Sequence, residues 1–219
     1  MKPAQPQSSD STRRASLLRT RGVTVQLGDV TALRDVTIDV PAGSITAIAG
    51  PNGSGKSTLL GVMAGVVPHG GTVLGRPRTA FVAQRSALPD GFPLTVRDVV
   101  AMGRWSERGA WRPLRSADRE LVADSLDAVR LGSLARRPLD QVSGGQYQRA
   151  FVAQALAHRA DLVLLDEPTV GVDAESTALI LAALEREAAR GAAVVHATHD
   201  REVIARADHV IRLHQGRVR

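Results

Sequence analysis

The sequence predicts an α/β fold, with a mostly parallel sheet core, an antiparallel β subdomain ahead of it and a helical subdomain inserted over about residues 86–141. Three observations carry this reading. Short, largely apolar runs (Ser44 to Ala49, Leu162 to Leu165, Ala192 to Ala197) alternate with helical patterns, as strands buried on both faces of a parallel sheet do. Two runs of period-two alternation, Val23 to Leu27 and Val36 to Val40, flank the turn former Gly28-Asp29 and read as an antiparallel pair. Between the strand at Ser44 and a helix over Leu59 to Val67 lies Gly50 to Thr58, which fits the phosphate-binding pattern G-x-x-x-x-G-K-[ST].

That loop organises the rest. Gly50, Gly55, Lys56 and Ser57 hold its fixed positions, Pro51, Asn52, Gly53 and Ser54 fill it, and Thr58 follows. Glycines at 50, 53 and 55 let the backbone turn tightly and aim successive N–H groups at one point, where the next helix adds its positive end. A polyphosphate fits there, with Lys56 neutralising the β- and γ-phosphates and the Ser57 hydroxyl on Mg²⁺. Of 28 basic residues only Lys2 and Lys56 are lysine, so a chain biased toward arginine keeps its one internal lysine at the loop. The fold class is therefore that of a P-loop NTPase.

Composition sets the outer bounds. At 219 residues, 43% hydrophobic and 23% charged, the chain suits one soluble domain or a domain with a subdomain. It contains no apolar run long enough to span a bilayer, so a membrane role must come through a partner. Cysteine is absent, which excludes disulfides and thiol chemistry. The net charge of +6 comes from scattered arginines rather than a block, so no nucleic-acid partner is expected. Residues 1–20 read as a disordered tail: the start is rich in Ser, Pro, Gln and Arg, and has no apolar segment of the secretory kind.

Further strands are expected at Gly71 to Leu74 and at Thr79 to Ala83, ending at Gln84. Pro89, Gly91 and Pro93 then break the chain. Thr95 to Met102 and Ser116 to Arg130 read as helices of the insert, the second with Leu121, Val122, Leu126 and Val129 on one face. Helices at Gly145 to His158 and Ala174 to Arg190, a short one from Asp200, and strands at Val210 to Leu213 and Gly216 to Val218 complete the pattern.

Two stretches carry more chemistry. Leu162 to Glu167 runs four apolar residues into two carboxylates, placing both acids at the carboxyl end of a buried strand beside the phosphate loop. Asp166 is positioned to hold Mg²⁺, and Glu167 to orient and polarise an attacking water. In Val142-Ser143-Gly144-Gly145-Gln146, a Ser and two glycines open a helix and form a second anion-binding N-terminus. With Tyr147-Gln148-Arg149 following, this stretch resembles the signature motif of the ATP-binding-cassette (ABC) ATPases, whose usual form begins with Leu.

The resemblance covers Gly22 to Arg219, making residues 21–219 an ABC ATPase domain, and it carries further implications. Two copies would pair head to tail, each ATP lying between one copy's phosphate loop and the other's signature. Gln84 matches the loop glutamine that meets Mg²⁺ and the attacking water, Asp173 the residue of the loop that crosses the dimer interface, and His199 the switch histidine near the γ-phosphate. The matching position for the adenine-stacking aromatic is Leu27, and no Phe, Tyr or Trp precedes Phe81. Adenine would then rest on aliphatic groups such as Leu27 and Val30, with weak base discrimination.

As a single cassette without fused membrane helices, the chain is similar to the ATPase subunit of a bacterial importer. Phe81 to Ser86, Phe92 to Val100 and Met102-Gly103-Arg104-Trp105 are similar to the zinc and manganese uptake ATPases. The Gly-Arg-aromatic part is shared with the iron-chelate and cobalamin group. Trp105 and Trp111 lie where that family docks its membrane partner, or else they fill the core of the helical insert. The resemblance implies ATP and Mg²⁺ as cofactors, integral permease subunits and, indirectly, a substrate-binding protein as partners, and a cytoplasmic place on the inner face of the membrane. A soluble ABC ATPase acting on nucleic acid or protein is the rival class.

Overall fold

The structure, a computed structural model, describes residues 16–84 and 93–219, so the expectations placed on residues 1–15 and on residues 85–92, among them Ser86, Pro89, Gly91 and Phe92, lie outside it. β1 (Ser16–Leu27) and β2 (Val30–Pro41) form the expected hairpin, with Leu27 opposite Val30 and only Gly28 and Asp29 in the turn. Gly28 has φ 56°, the left-handed conformation a two-residue hairpin turn requires. β4 (Gly70–Leu74) pairs with the other edge of β1, giving a three-stranded antiparallel sheet in the order β2-β1-β4. β1 begins inside the expected tail, and residues 16–20 are sheet. Leu18 and Thr20 are buried there, and Thr20 Oγ1 donates to Val36 O and accepts from Ile38 N. Interleaved arginines hide this part of the strand from a hydrophobic pattern.

The second sheet has the order β5-β6-β7-β3-β8-β9, formed by β5 (Thr79–Val82), β6 (Leu162–Asp166), β7 (Ala193–Thr198), β3 (Ile45–Ala49), β8 (His209–His214) and β9 (Arg217–Val218). All pairs are parallel except β8 with β9. Alternation along the strands divides the core between two faces. Val163, Leu165 and Val194 pack toward the helical side, while Leu162, Leu164 and Val195 pack toward β1, β2 and α1 (Lys56–Met63). α1 stops short of the expected Val67, because Gly65 turns left-handed at φ 72° and Val66 N donates back to Gly61 O.

The helical side consists of α2 (Val96–Met102), α3 (Trp105–Arg108), α4 (Ser116–Ala128), α5 (Gly144–Ala157) and α6 (Ala174–Ala189), with α7 (Arg201–Ala205) after β7. Thr95 and Asp98 form a capping box that starts α2. α3, a single turn, was not expected. Its cause lies in the Met102-Gly103-Arg104 run: a Cβ on Gly103 would meet Gln154 O of α5 at 2.2 Å, so only glycine allows the two helices to touch. Arg104, 4% exposed, then binds Asp118 Oδ1 at 3.0 Å and Ala157 O at 2.9 Å, clamping α3, α4 and α5 together. Trp105 and Trp111 are 44% and 98% exposed, so they do not fill the core of the insert. No helix among the described residues is long and apolar enough to cross a membrane.

Candidate functional site

β5, β6, β7 and β3 are adjacent and parallel, so their carboxyl ends lie side by side. Each end delivers one part of the predicted chemistry: Gln84 beyond β5, Asp166 and Glu167 at β6, His199 beyond β7 and the phosphate loop beyond β3. Residues distant in sequence thus meet at one edge.

Glu167 is the meeting point. Its carboxylate lies 3.7 Å from Lys56 Nζ, accepts from Gln84 Nε2 at 2.9 Å and stands 3.5 Å from His199 Nδ1. The backbone turns it there. Glu167 has φ 50°, a left-handed conformation that costs a non-glycine residue energy, and its N–H is held by Ala197 O at 3.1 Å. Lys56 is buried and also donates to Gly50 O at 2.9 Å and Pro51 O at 3.2 Å.

Gly50, Pro51 and Ser54 shape the loop rather than line its cleft. A Cβ on Gly50 would strike Leu213 O at 2.3 Å, and Ser54 is buried beneath the turn. The loop leads into a cleft of about 990 Å³ lined by Asn52, Gly53, Gly55, Lys56, Ser57 and Thr58, and also by Gln84, Glu167, Leu27 and Val30. Sequence reasoning missed one wall, contributed by Arg34 and by His214 to Arg219. The Gln215-Gly216 turn was legible as a hairpin, but its place against the phosphate loop is a matter of topology. Gly216 N donates to Ser54 O and Gly216 O accepts from Arg34 N.

The fit to Mg²⁺ can be judged from the donors. Asp166 is buried, its Oδ1 has no hydrogen-bond partner, and Ser57 contacts its carboxyl. Burial raises the Asp166 carboxyl above its usual range, with Glu167 adding to the shift and Ser57 and Lys56 opposing it. A buried, under-satisfied carboxylate beside a hydroxyl offers hard oxygen donors of the kind Mg²⁺ uses together with substrate phosphates, so the residues fit the ion.

Ser143, Gly144, Gly145, Gln146 and Asp173 gather elsewhere. Ser143 caps α5 through Gln146, and a Cβ on Gly145 would stand 2.5 Å from Asp173 Oδ2. Asp173 caps α6 by accepting from Ser176 N at 2.8 Å, which holds its carboxyl below the usual range. None of these five residues lines the cleft.

A phosphate loop and an acid pair on neighbouring strand ends define a nucleoside-triphosphate hydrolase, here with a second glycine-opened helix start outside the cleft. Residues 33–170 match the sequence profile described as ABC transporter. The chain belongs to the ABC transporter family and is one of its ATPase cassettes. It is 37% identical over 205 residues to the manganese transport system ATP-binding protein MntB of Listeria innocua, covering 89% of this chain and 85% of that protein. It is 40% identical over 199 residues to the zinc transport system ATP-binding protein TroB of Treponema pallidum, covering 83% and 74%. It is 39% identical over 210 residues to the hemin import ATP-binding protein HmuV of Streptomyces coelicolor, covering 90% and 74%. Among solved structures, a metal-chelate type ABC transporter in an inward-facing conformation superposes with TM-score 0.84 at 30% identity, covering 93% of this chain and 82% of that one. A dimeric bacterial ABC transporter cassette superposes with TM-score 0.80 at 28% identity, covering 92% and 96%.

Proposed function

We propose that this chain is the ATP-hydrolysing subunit of a bacterial importer that takes up a divalent metal ion, zinc first and manganese second, through a separate membrane permease. One observation carries the mechanism: the signature residues and Asp173 are absent from the lining of the chain's own nucleotide cleft. A second copy, head to tail, brings them to it. ATP then lies with its phosphates on the loop amides and Lys56, and the partner's α5 end closes over the γ-phosphate.

Each side chain has a task. Lys56 offsets phosphate charge. Glu167 accepts a hydrogen bond from the attacking water and polarises it, while Gln84 and His199 hold that carboxylate in orientation. Ser57, Asp166 and Gln84 would hold Mg²⁺, which when bound neutralises charge on the phosphate oxygens. Leu27 lies at the base end. Closure of the dimer moves the helical subdomain, and Gln84, between nucleotide and insert, relays that motion. The exposure of Trp105 and Trp111 supports a permease docking surface there, and with it a cytoplasmic position on the inner face of the membrane.

The likeness to TroB and MntB supports the cargo, as does the Met102-Gly103-Arg104-Trp105 run. The likeness to HmuV and to the metal-chelate transporter favours a second reading, uptake of an iron chelate. Radiolabelled zinc uptake in metal-starved source cells carrying Lys56→Ala, with manganese and an iron chelate as parallel tracers, separates them. Loss of zinc uptake alone is expected; loss of only the chelate tracer supports the second reading, and no change in any tracer sinks both. For the dimer, Glu167→Gln should bind ATP yet elute as a dimer with it on size exclusion, and a persistent monomer at saturating ATP rejects the head-to-tail arrangement.

A further inference from the structure

The nucleotide cleft has a wall that the mechanism above leaves idle. Leu27 and Val30, at 53% and 66% exposed, offer only aliphatic surface, and among the described residues no Phe, Tyr or Trp lines the cleft, whose one aromatic ring is the imidazole of His214. Arg217 and Arg219 line the same cleft. Arg217 opens β9 and Arg219 directly follows it. Neither guanidinium makes a hydrogen bond or ion pair with any described residue.

Their strand is fixed in place. Gly216 N donates to Ser54 O at 3.0 Å, Gly216 O accepts from Arg34 N at 2.8 Å, and Arg219 N donates to Arg212 O at 2.9 Å. A Cβ on Gly216 would meet Ala32 O at 2.6 Å, so the hairpin is wedged against β2 as closely as backbone allows. The two cations are thus held beside the phosphate loop, which already has Lys56 for polyphosphate charge. Guanidinium groups are planar and weakly hydrated, and they stack on aromatic faces and nucleobases where a compact ammonium does not.

We propose that the nucleobase is held between the Leu27 and Val30 surface and the guanidinium groups of Arg217 and Arg219, which supply a planar stacking face opposite the aliphatic one. The proposal rests on nucleotide binding at this cleft and names what reads the base. Such a platform accepts adenine and guanine alike, because every base has a π-face.

The test compares binding of ATP and of inorganic tripolyphosphate, both with Mg²⁺, by calorimetry on the purified full chain. Arg217→Ala/Arg219→Ala is expected to weaken ATP about tenfold and to leave tripolyphosphate within about twofold. Arg217→Lys/Arg219→Lys should remain as weak for ATP as the alanine pair, since it keeps charge and loses the plane. Retained tripolyphosphate binding also reports a folded phosphate loop in both variants. Equal loss of both ligands with rescue by lysine would make the arginines a phosphate clamp and overturn the proposal. Unchanged ATP affinity would overturn it too. Failure of the unmodified chain to bind either ligand would strike instead at the ATPase reading.

Discussion

His196 and His199 stand three positions apart and live in different media. His196 lies within β7, 1% exposed, and its Nδ1 has no hydrogen-bond partner among the described residues. The small cavity beside it is bordered by Glu185 and Arg206, whose charges pair at 2.8 Å and so largely cancel. Burial pushes the imidazole from 6.5 down to about 4. Between these two values the unfolded chain takes up a proton that the folded chain refuses. The stabilisation is therefore complete above pH ~6.5 and is lost as pH falls toward ~4. At 1.36 kcal/mol per unit, a difference of roughly 2.5 units is about 3 kcal/mol, a large share of the ~5–15 kcal/mol of a typical domain. Urea midpoints measured from pH 7.5 to 4.5 on the chain and on His196→Leu, a substitution of similar volume, isolate this contribution. The stability gap between the two should shift by about 3 kcal/mol in favour of the leucine variant as the medium is acidified. Parallel curves would refute the reasoning, since they would mean that His196 is protonated, or free to become so, in the folded state.

Three other outcomes follow from particular contacts. Gly103→Ala drives a methyl to 2.2 Å from Gln154 O and must push α2 off α5, so chemical denaturation should show a loss of about 1–3 kcal/mol. Asp166 has its carboxyl raised by burial, so between the usual value and the raised one the folded chain holds a proton that the unfolded chain has released, and ionised Asp166 costs stability at neutral pH. Asp166→Asn should accordingly melt about 2–4 °C higher without nucleotide while losing Mg²⁺-dependent hydrolysis; a lower melting temperature would count against this account. With aliphatic Leu27 at the base end, ATP and GTP should be hydrolysed at similar efficiency in steady state, and a tenfold preference for ATP would contradict it.

Much of this was legible because its signals are local. The phosphate loop, the Leu162 to Glu167 run and the Gly28-Asp29 turn each carry their structure within a few residues. What escaped depends on contacts between distant parts of the chain. Residues 16–20 look polar because Arg19 and Arg21 alternate with Leu18 and Thr20, and only pairing with β2 and β4 reveals a strand. The helix α3 is a consequence of how closely Gly103 lets α2 approach α5. The arginine wall of the cleft comes from a hairpin whose neighbours, β2 and the phosphate loop, are more than a hundred residues away in sequence. Gln84, Glu167 and His199 could be named one by one, but their convergence on a single carboxylate needed the strand order.

The Lys56 ammonium is held by two of the loop's own carbonyls and faces the Glu167 carboxylate. Under the mechanism proposed above, a triphosphate on the loop competes with Glu167 for that cation, so Lys56 couples phosphate binding to the freedom of the carboxylate assigned to the attacking water.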